Sequence, residues 1–243
     1  MDKDIDIALP EMEANMLTCE LLLSVMPQLD EEQTARFITY YEMLVDRNRR
    51  VNLTRITSPN EVAEKHFADS VLGAKLIPEG ARVVDVGTGA GFPGIPLKIV
   101  RPDIELVLVD SLGKRVAFLN ELCGKLGLEV PAIHARAEDA ARDIKLRGAF
   151  DIAVSRAVAP MSILTELTVP FLKVGGTSLM YKGPGADEEI SLCDKAFSEL
   201  KCRAEVKLYD VPWGSRCIVC VSKTGDTPRK YPRKAGSIEK APL

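Results

Sequence analysis

Closely spaced glycines and two acidic residues are the groups in this sequence best suited to bind a small molecule. The chain reads RVVDVGTGAGFPG over residues 82–94, where β-branched residues around Asp85 run directly into three glycines. A second acid, Asp110, closes another apolar run 19 residues after Gly91. Glycine suits a loop that approaches a ligand closely, and a carboxylate at the end of the next strand can bind a ribose diol. The pattern predicts a nucleotide-binding site.

Two kinds of nucleotide fit this loop. Residues 89–94 satisfy G-x-G-x-x-G, which is typical of dinucleotide sites, whereas residues 85–91 read D-x-G-x-G-x-G, which is typical of S-adenosylmethionine-dependent methyltransferases. A pyrophosphate needs the free N–H groups of a helix's first turn, and Pro93 and Pro96 have none. S-adenosylmethionine carries an ammonium group and no phosphate, which suits Asp85. The loop therefore favours S-adenosylmethionine, with a dinucleotide-dependent oxidoreductase as the alternative.

Strand and helix patterns alternate after residue 79 and define the scaffold for this site. Strands are predicted at residues 83–86, 104–109, 130–134, 150–155, 177–182, 206–211 and 217–221, and helices at 114–126, at 161–173 with an interruption near Pro170, and at 186–200. Gly175 and Gly176 are predicted to form the turn before the fifth strand. Residues 212–216 are too few for a parallel crossover, so the last strand should be antiparallel. The predicted fold class is α/β, a doubly wound, mostly parallel seven-stranded sheet of the class I S-adenosylmethionine methyltransferase type with an N-terminal helical extension.

The first 78 residues read as helices at 11–26, at 30–48 and from Ser58 to about residue 76. Asp30 and Gln33 are spaced as a capping pair, and Ser58 is predicted to cap the third helix with Glu61 reaching back. We expect residues 1–78 to form a helical segment packed on the core, residues 79–223 the methyltransferase core, and residues 224–243 a basic tail.

Composition and charge restrict the class of protein. No apolar run approaches the ~20 residues of a membrane helix, and the acidic N-terminus is unlike a signal peptide, so we expect a cytoplasmic protein. The net charge is −3, but residues 1–32 hold nine acids and one base, and residues 223–240 hold six bases and two acids. The basic end is compatible with a nucleic-acid partner and equally with a solvated tail.

Cysteine and histidine give no metal site. Cys217 and Cys220 form a C-x-x-C without a second pair or a nearby histidine, and in a strand they face opposite sides of the sheet. We expect buried free thiols. The only histidines, His66 and His134, are far apart in the sequence, and a structural role is the default for each; His134 should be buried or packed at a sheet edge.

Three further residues lie at predicted strand ends. Ala137 and Glu138 follow the third strand, where an adenine-binding loop is expected, although Glu138 fits a helix cap equally well. Arg156 closes the fourth strand, where an arginine can serve a cofactor or an incoming phosphate. This strand is not followed by N-P-P-Y or D-P-P-Y, nor by a cysteine after a proline. Exocyclic amines and pyrimidine carbons are therefore disfavoured as methyl acceptors.

These motifs together resemble the RsmG (GidB) family of bacterial 16S ribosomal RNA guanine-N7 methyltransferases, in particular its members from Gram-positive bacteria. The resemblance extends from about residue 36 to the C-terminus and depends on VNLTRI (51–56), KHFADS (65–70), DVGTGAGFPGIPLKI (85–99), VDSLGKRVAFLNEL (109–122), ARAED (135–139), VSRAVAP (154–160), YKG (181–183) and YPRKAG (231–236). It implies methyl transfer from S-adenosylmethionine to N7 of a guanine in the 530 loop of 16S rRNA. That nitrogen has a lone pair and no proton, so in-line transfer needs positioning and no general base.

The resemblance also implies cofactor contacts at Gly87, Phe92, Ala137, Glu138 and Arg156. With the residues inferred above, the predicted cofactor-binding set is Asp85, Gly87, Gly89, Gly91, Phe92, Asp110, Ala137, Glu138 and Arg156. Arg156 and Lys182 are predicted to position the reactants, no residue is assigned as catalytic with certainty, and no metal is expected. The predicted RNA-binding residues are Arg47, Arg49, Arg50, Asn52, Arg55, Lys65, His66, Lys114, Arg115 and Lys182.

The expected partner is 16S rRNA or a precursor of the small ribosomal subunit, bound by a monomer without a membrane. A non-enzymatic rRNA-binding assembly factor that retains the fold is a second alternative.

Overall fold

A computed structural model describes residues 16–243 and contains seven strands in one sheet. The strands are β1 (Arg82–Val86), β2 (Glu105–Asp110), β3 (Ala132–His134), β4 (Phe150–Arg156), β5 (Leu172–Lys182), β6 (Cys202–Val211) and β7 (Gly214–Lys223). Their order across the sheet is β3-β2-β1-β4-β5-β7-β6. The strands β1 to β5 pair in parallel, and β7 is antiparallel to both β5 and β6. The predicted mostly parallel sheet with a reversed final strand is confirmed.

Helices cover both faces of this sheet. They are α1 (Cys19–Val25), α2 (Glu31–Asn48), α3 (residues 59–76), α4 (Gly94–Val100), α5 (Gly113–Leu126), α6 (Ala137–Ala140), α7 (Met161–Thr168), α8 (Ala186–Ser191), α9 (Asp194–Leu200) and α10 (Ala235–Lys240). The capping box predicted for α2 is present, because Asp30 accepts from the Gln33 amide and Gln33 accepts from the Asp30 amide. In the described part of the chain, no helix is both long enough and apolar enough to cross a bilayer.

The N-terminal helices share one hydrophobic core with a face of the sheet. Phe37, Tyr40 and Phe67 from α2 and α3 are fully buried in the same cluster as Val83 of β1 and Ile218 of β7. A second cluster lies under α7 to α9 on the opposite face. The buried apolar residues of α2 and α3 therefore belong to the hydrophobic core that covers one face of the sheet at β1.

The C-x-x-C thiols confirm the strand prediction. Cys220 is buried in the cluster shared with the N-terminal helices, whereas Cys217 is buried in the opposite cluster. Both are free thiols, as expected. Burial raises the pKa of each thiol.

Helix α3 departs from regular α-helical winding. It consists of an α turn (Pro59–Glu61), a π-helical stretch (Val62–Ala68), an α turn (Asp69–Val71) and a 3₁₀ turn (Leu72–Leu76). Within this helix, the carbonyl oxygens of Lys65 and His66 also accept hydrogen bonds from the Arg156 guanidinium. Ser58 is the N-cap residue, as predicted, but its hydroxyl donates to the Glu61 carboxylate and caps no backbone group.

Three predicted boundaries also differ. Helix α1 begins only at Cys19, because the Thr18 hydroxyl caps it by accepting from the Leu21 amide; residues 11–15 lie outside the described residues. Gly175 and Gly176 belong to β5 and form no turn, and the pairing register with β4 shifts beside them. Residues 186–200 form two helices instead of one.

The C-terminal residues pack against the core. Tyr231, Ile238 and Leu243 are buried, and the Arg233 side chain reaches the fully buried carboxylate of Glu166 in α7. Of the two possibilities left open for this segment, a freely solvated tail is therefore wrong.

Candidate active site

The glycine loop after β1 forms one wall of a cavity at the carboxyl ends of the parallel strands. Gly87 and Gly89 have φ values of +71° and +63°, in the region that L side chains rarely adopt. A Cβ added at Gly87 would lie 2.8 Å from the side chain of Val158, which follows β4. A Cβ added at Gly89 would meet no atom within 4 Å. The loop backbone is thus packed at Gly87 and open at Gly89, and Gly89 and Gly91, both predicted to contact the cofactor, are not among the residues that line the cavity.

Helix α4 begins directly after this loop, and its first turn has no amide available for a phosphate. The Gly94 N–H donates to Asp85 Oδ2 at 2.8 Å, and the Ile95 N–H donates to the Gly91 carbonyl at 2.8 Å. Pro93 and Pro96 have no N–H to give. Dinucleotide sites bind pyrophosphate at this turn through free amides. The local structure therefore excludes the dinucleotide mode of binding at this loop.

Asp85 supports the loop from beneath. Its side chain is fully buried, and Oδ2 also accepts from the Thr88 hydroxyl at 2.7 Å. Within residues 16–243 its other oxygen, Oδ1, has no hydrogen-bond partner. Burial raises the pKa of this carboxyl to about 7 in spite of these hydrogen bonds and of the nearby Arg156 charge. Contrary to our expectation of a direct cofactor contact, Asp85 does not line the cavity.

The cavity has a volume of about 230 Å³ and is lined by four of the nine predicted cofactor-binding residues: Gly87, Asp110, Ala137 and Glu138. Asp110 is 3% exposed. Its two oxygens accept from the amides of Gly89 and Leu112, each at 2.9 Å. The carboxylate is therefore fixed at the end of β2, between the glycine loop and the start of α5. Glu138 is buried at the start of α6 and pairs with Arg136.

Sequence reasoning missed several lining residues. Ser111, Arg136, Ala157 and Val158 line the cavity; the first three directly follow or precede a predicted residue, and Val158 lies two positions after Arg156. Ala157 has a φ of +55°, an uncommon conformation for a residue other than glycine. These residues could have been predicted from their position directly after β2, β3 and β4, because the loops at the carboxyl ends of strands in an open parallel sheet bind ligands.

A cluster of stacked rings lies behind the glycine loop. Phe92 stacks on His66 at 4.5 Å and on Tyr40 at 5.3 Å between ring centroids. The guanidinium of Arg156 lies over the same Phe92 ring at 4.9 Å. The Tyr40 hydroxyl donates to the Ala90 carbonyl at 2.6 Å in the buried interior. Phe92 and Arg156, both predicted to contact the cofactor, thus join the loop to α2 and α3 and are not among the residues that line the cavity.

His66 is held in one protonation state by this cluster. Its Nδ1 lies 3.2 Å from Nη2 of Arg156, which can only donate, so Nδ1 accepts and the proton is on Nε2. Nε2 lies 2.8 Å from the Thr54 hydroxyl. Burial, reinforced by the Arg156 charge, lowers the pKa of His66 to about 3. His66 is therefore neutral, and the structure places it in the ring cluster, although we expected it among the RNA contacts.

The other predicted RNA-binding residues differ in solvent exposure and in whether they form an ion pair. Arg49, Arg50, Asn52, Arg55 and Lys114 are exposed. Arg47 pairs with Glu121, Lys65 with Glu61, Arg115 with Asp110, and Lys182 with Glu189. The loop that follows α2 is held in place by Asn48, because its side-chain oxygen accepts hydrogen bonds from the amides of Leu53 and Thr54. The free cationic groups therefore concentrate on an ordered loop that follows α2.

A second cavity lies on the other side of the end of β4. It has a volume of about 160 Å³ and includes Arg156 and Lys182, the two residues predicted to position the reactants. Residues 157 and 158 line the first cavity, so consecutive positions at the end of β4 contribute to the two cavities.

Known structures share this fold. One is an S-adenosylmethionine-dependent O-methyltransferase from Thermotoga maritima, which is 18% identical with a TM-score of 0.51 and covers 76% of this chain and 72% of that chain. Another is TYW2 of M. jannaschii in complex with AdoMet, which is also 18% identical, with a TM-score of 0.50 and coverage of 63% and 72%. At this identity the likeness shows the class I methyltransferase fold alone.

Relatives in sequence are much closer. The ribosomal RNA small subunit methyltransferase G of Clostridium botulinum (strain Eklund 17B / Type B) is 45% identical over 234 residues, which are 93% of this chain and 98% of that protein. The protein of the same name from Streptococcus equi subsp. zooepidemicus (strain H70) is 46% identical over 221 residues, or 88% and 93% of the two chains. The family model described as "rRNA small subunit methyltransferase G" matches residues 33–209. The chain therefore belongs to the rRNA small subunit methyltransferase G family.

Proposed function

We propose that this protein transfers a methyl group from S-adenosylmethionine to N7 of a guanine in the 530 loop of 16S rRNA. The observation that carries the choice of cofactor is the first turn of α4, whose amides are absent or occupied while the loop backbone before it is open at Gly89. Such a loop can take a ligand without phosphate. Membership of the family supports rRNA as the substrate, and the family resemblance supports the acceptor atom.

The residues of the first cavity fit the parts of this methyl donor. The fixed carboxylate of Asp110 would accept hydrogen bonds from the ribose hydroxyls, and Ala137 and Glu138 would face the adenine. The backbone at Gly87 and Gly89 would lie against the amino-acid end. When bound, the donor supplies an electrophilic methyl group on a sulfonium.

The rest of the site is suited to positioning. Guanine N7 offers a lone pair without a proton, so the reaction needs no general base. This agrees with the state of His66, which is neutral and already engaged by Arg156 and Thr54. Holding two reactants in line is itself a large source of rate enhancement. We assign that task to the walls of the two cavities at the end of β4.

The N-terminal segment would contribute to RNA binding as well as to the core. Its exposed cations, Arg49, Arg50 and Arg55, lie on the ordered loop after α2, and the basic residues of 224–243 would add to the same field. We infer a monomer that acts in the cytoplasm on 16S rRNA or on a precursor of the small subunit.

The activity is tested with labelled S-adenosylmethionine and small-subunit rRNA or particles from a strain that lacks the gene. We expect label at one guanine of the 530 loop, located by mapping of the modified nucleotide. Binding of rRNA without label in any preparation would favour the assembly-factor alternative. Titration with NAD, which should give no heat, tests the oxidoreductase alternative.

The RNA-binding role is tested by the salt dependence of binding. Replacing Arg49, Arg50 and Arg55 by alanine should lower the slope of log K against log salt by about 2, if each contacts one phosphate of a single strand. Arg203→Ala is the control, because Arg203 is exposed at the amino end of β6, an edge strand of the sheet. Affinity for S-adenosylhomocysteine should stay unchanged in both variants. Equal slopes of log K against log salt for the triple variant and the control would contradict this assignment.

A further inference from the structure

The second cavity contains a carboxylate oxygen that no described residue uses. Asp69 of α3 is 9% exposed and lines this cavity. Its Oδ1 accepts from Trp213 Nε1 and from Arg216 Nε, each at 2.9 Å. Neither contact uses Oδ2, and within residues 16–243 no hydrogen bond reaches that oxygen. A buried carboxylate with one oxygen fixed and the other open is a prepared hydrogen-bond acceptor.

The walls around this oxygen suit a flat aromatic ring. Leu72 and Ile218 supply apolar surface, and Tyr181 supplies a ring that is held in place because its hydroxyl donates to the Ser70 carbonyl at 2.7 Å. The volume of about 160 Å³ exceeds the roughly 30 Å³ that one water molecule takes in the liquid. The cavity therefore has room for a group of several heavy atoms.

We propose that this second cavity holds the acceptor guanine by its Watson–Crick edge and that Asp69 determines the specificity by accepting hydrogen bonds from N1–H and N2–H₂. This inference rests on the proposed function. Enzymes that modify a base commonly take it out of the stack and bind that edge in a pocket. Guanine presents two neighbouring donors there, whereas adenine presents an acceptor at N1, which a carboxylate oxygen would repel. Asp69 thus selects guanine over adenine.

Holding this edge also leaves the reacting atom free. N7 belongs to the five-membered ring, on the side of the purine away from N1 and N2. Its lone pair forms the new bond to the methyl carbon while the carbon–sulfur bond breaks, and the electron pair of that bond remains on sulfur. No proton moves, and the positive charge passes from sulfur to the purine. A carboxylate beside the ring stabilises the charge that develops there.

The experiment compares guanosine with inosine at the acceptor position of otherwise identical rRNA substrate. Inosine keeps N7, O6 and N1–H but lacks the N2 amino group. With the wild-type protein we expect kcat/KM for methyl transfer to fall roughly ten- to hundred-fold on inosine, because a hydrogen bond to a charged group is lost. In Asp69→Asn the side-chain oxygen can keep the contacts to Trp213 and Arg216, but an NH₂ group replaces Oδ2. The ratio between guanosine and inosine should then fall close to one.

Trp213→Phe is the matched control, since it removes a donor to Oδ1 and leaves Oδ2 in place. It should keep the wild-type ratio even if both rates fall. Retained binding of S-adenosylhomocysteine verifies the fold of each variant. A wild-type ratio near one, an unchanged ratio in Asp69→Asn, or an equal collapse in Trp213→Phe would overturn the assignment. Failure of the wild-type protein to methylate guanosine at all would instead refute the proposed function.

Discussion

Replacing Arg233 by alanine should destabilise the whole protein, although the residue belongs to the last twelve of the chain. The Glu166 carboxylate is fully buried, and Arg233 Nε and Nη2 donate to it at 2.9 and 2.6 Å. Without the guanidinium, the Arg233 backbone amide, at 2.7 Å, is the one partner that the described residues still offer this carboxylate. Removing one partner of a buried ion pair costs about 3–5 kcal/mol, and we take the lower end because the Arg233 side chain is 25% exposed.

This loss of free energy can be measured as a change in melting temperature. For a chain of this length, 1 kcal/mol lowers Tm by about 2–4 °C, so Arg233→Ala should lower it by about 6–12 °C. Calorimetry or circular dichroism measures the change. Lys230→Ala breaks a neighbouring pair with Glu199 and is the control, and it should leave Tm nearly unchanged because that pair is largely exposed.

A second variant tests the cause. Glu166→Leu combined with Arg233→Met removes both charges and keeps apolar volume, so it should recover most of the lost stability. A drop of less than about 2 °C in Arg233→Ala would refute the reasoning. So would a double variant as unstable as the single one, because the cost would then come from lost packing and not from an unpaired buried charge.

Three further changes test the site. Tyr40→Phe removes the buried hydrogen bond to Ala90 and should lower the free energy of unfolding by about 1–2 kcal/mol in denaturant titration; unchanged stability would show that the bond is unimportant. The imidazole NMR signal of His66, assigned with a His134→Gln variant, should titrate only near pH 3. Because unfolded chains take up that proton near pH 6.5, stability should fall as the pH drops from 6.5 toward 3, and less so in His66→Gln; titration near neutrality would contradict the buried cluster. Gly89→Ala should weaken binding of S-adenosylhomocysteine in calorimetry, since its Cβ enters the open side of the loop; unaltered affinity would place the donor elsewhere.

Features that depend on short stretches of chain could be predicted from the sequence. The glycine loop, the alternation of strands and helices and the reversed β7 follow from local glycine chemistry, β-branched runs and a five-residue connection. The capping box of α2 also needed only residues 30 and 33. In each case the physical cause acts over a few residues, so the pattern in the sequence is sufficient.

Features that depend on contacts between distant residues could not be predicted. Asp69 meets Trp213 and Arg216 across more than 140 positions, and no spacing in the sequence indicates that contact. The basic composition of residues 223–240 did not indicate that Arg233 pairs with the buried carboxylate of Glu166. Within the π-helical stretch of α3, the His66 carbonyl accepts a hydrogen bond from Arg156, 90 residues further on. Contacts of this kind depend on how distant elements pack together in the folded core.

The hydrogen bond from the Tyr40 hydroxyl to the Ala90 carbonyl connects a helix of the first 78 residues to the loop that borders the first cavity. A fragment starting at residue 79 would contain every strand of the sheet but would expose Phe92 and leave that loop unsupported. We therefore expect a fragment cut at the edge of the sheet to lose the order of this loop. The N-terminal helices and the first cavity therefore have to be changed together in any engineered form of the protein.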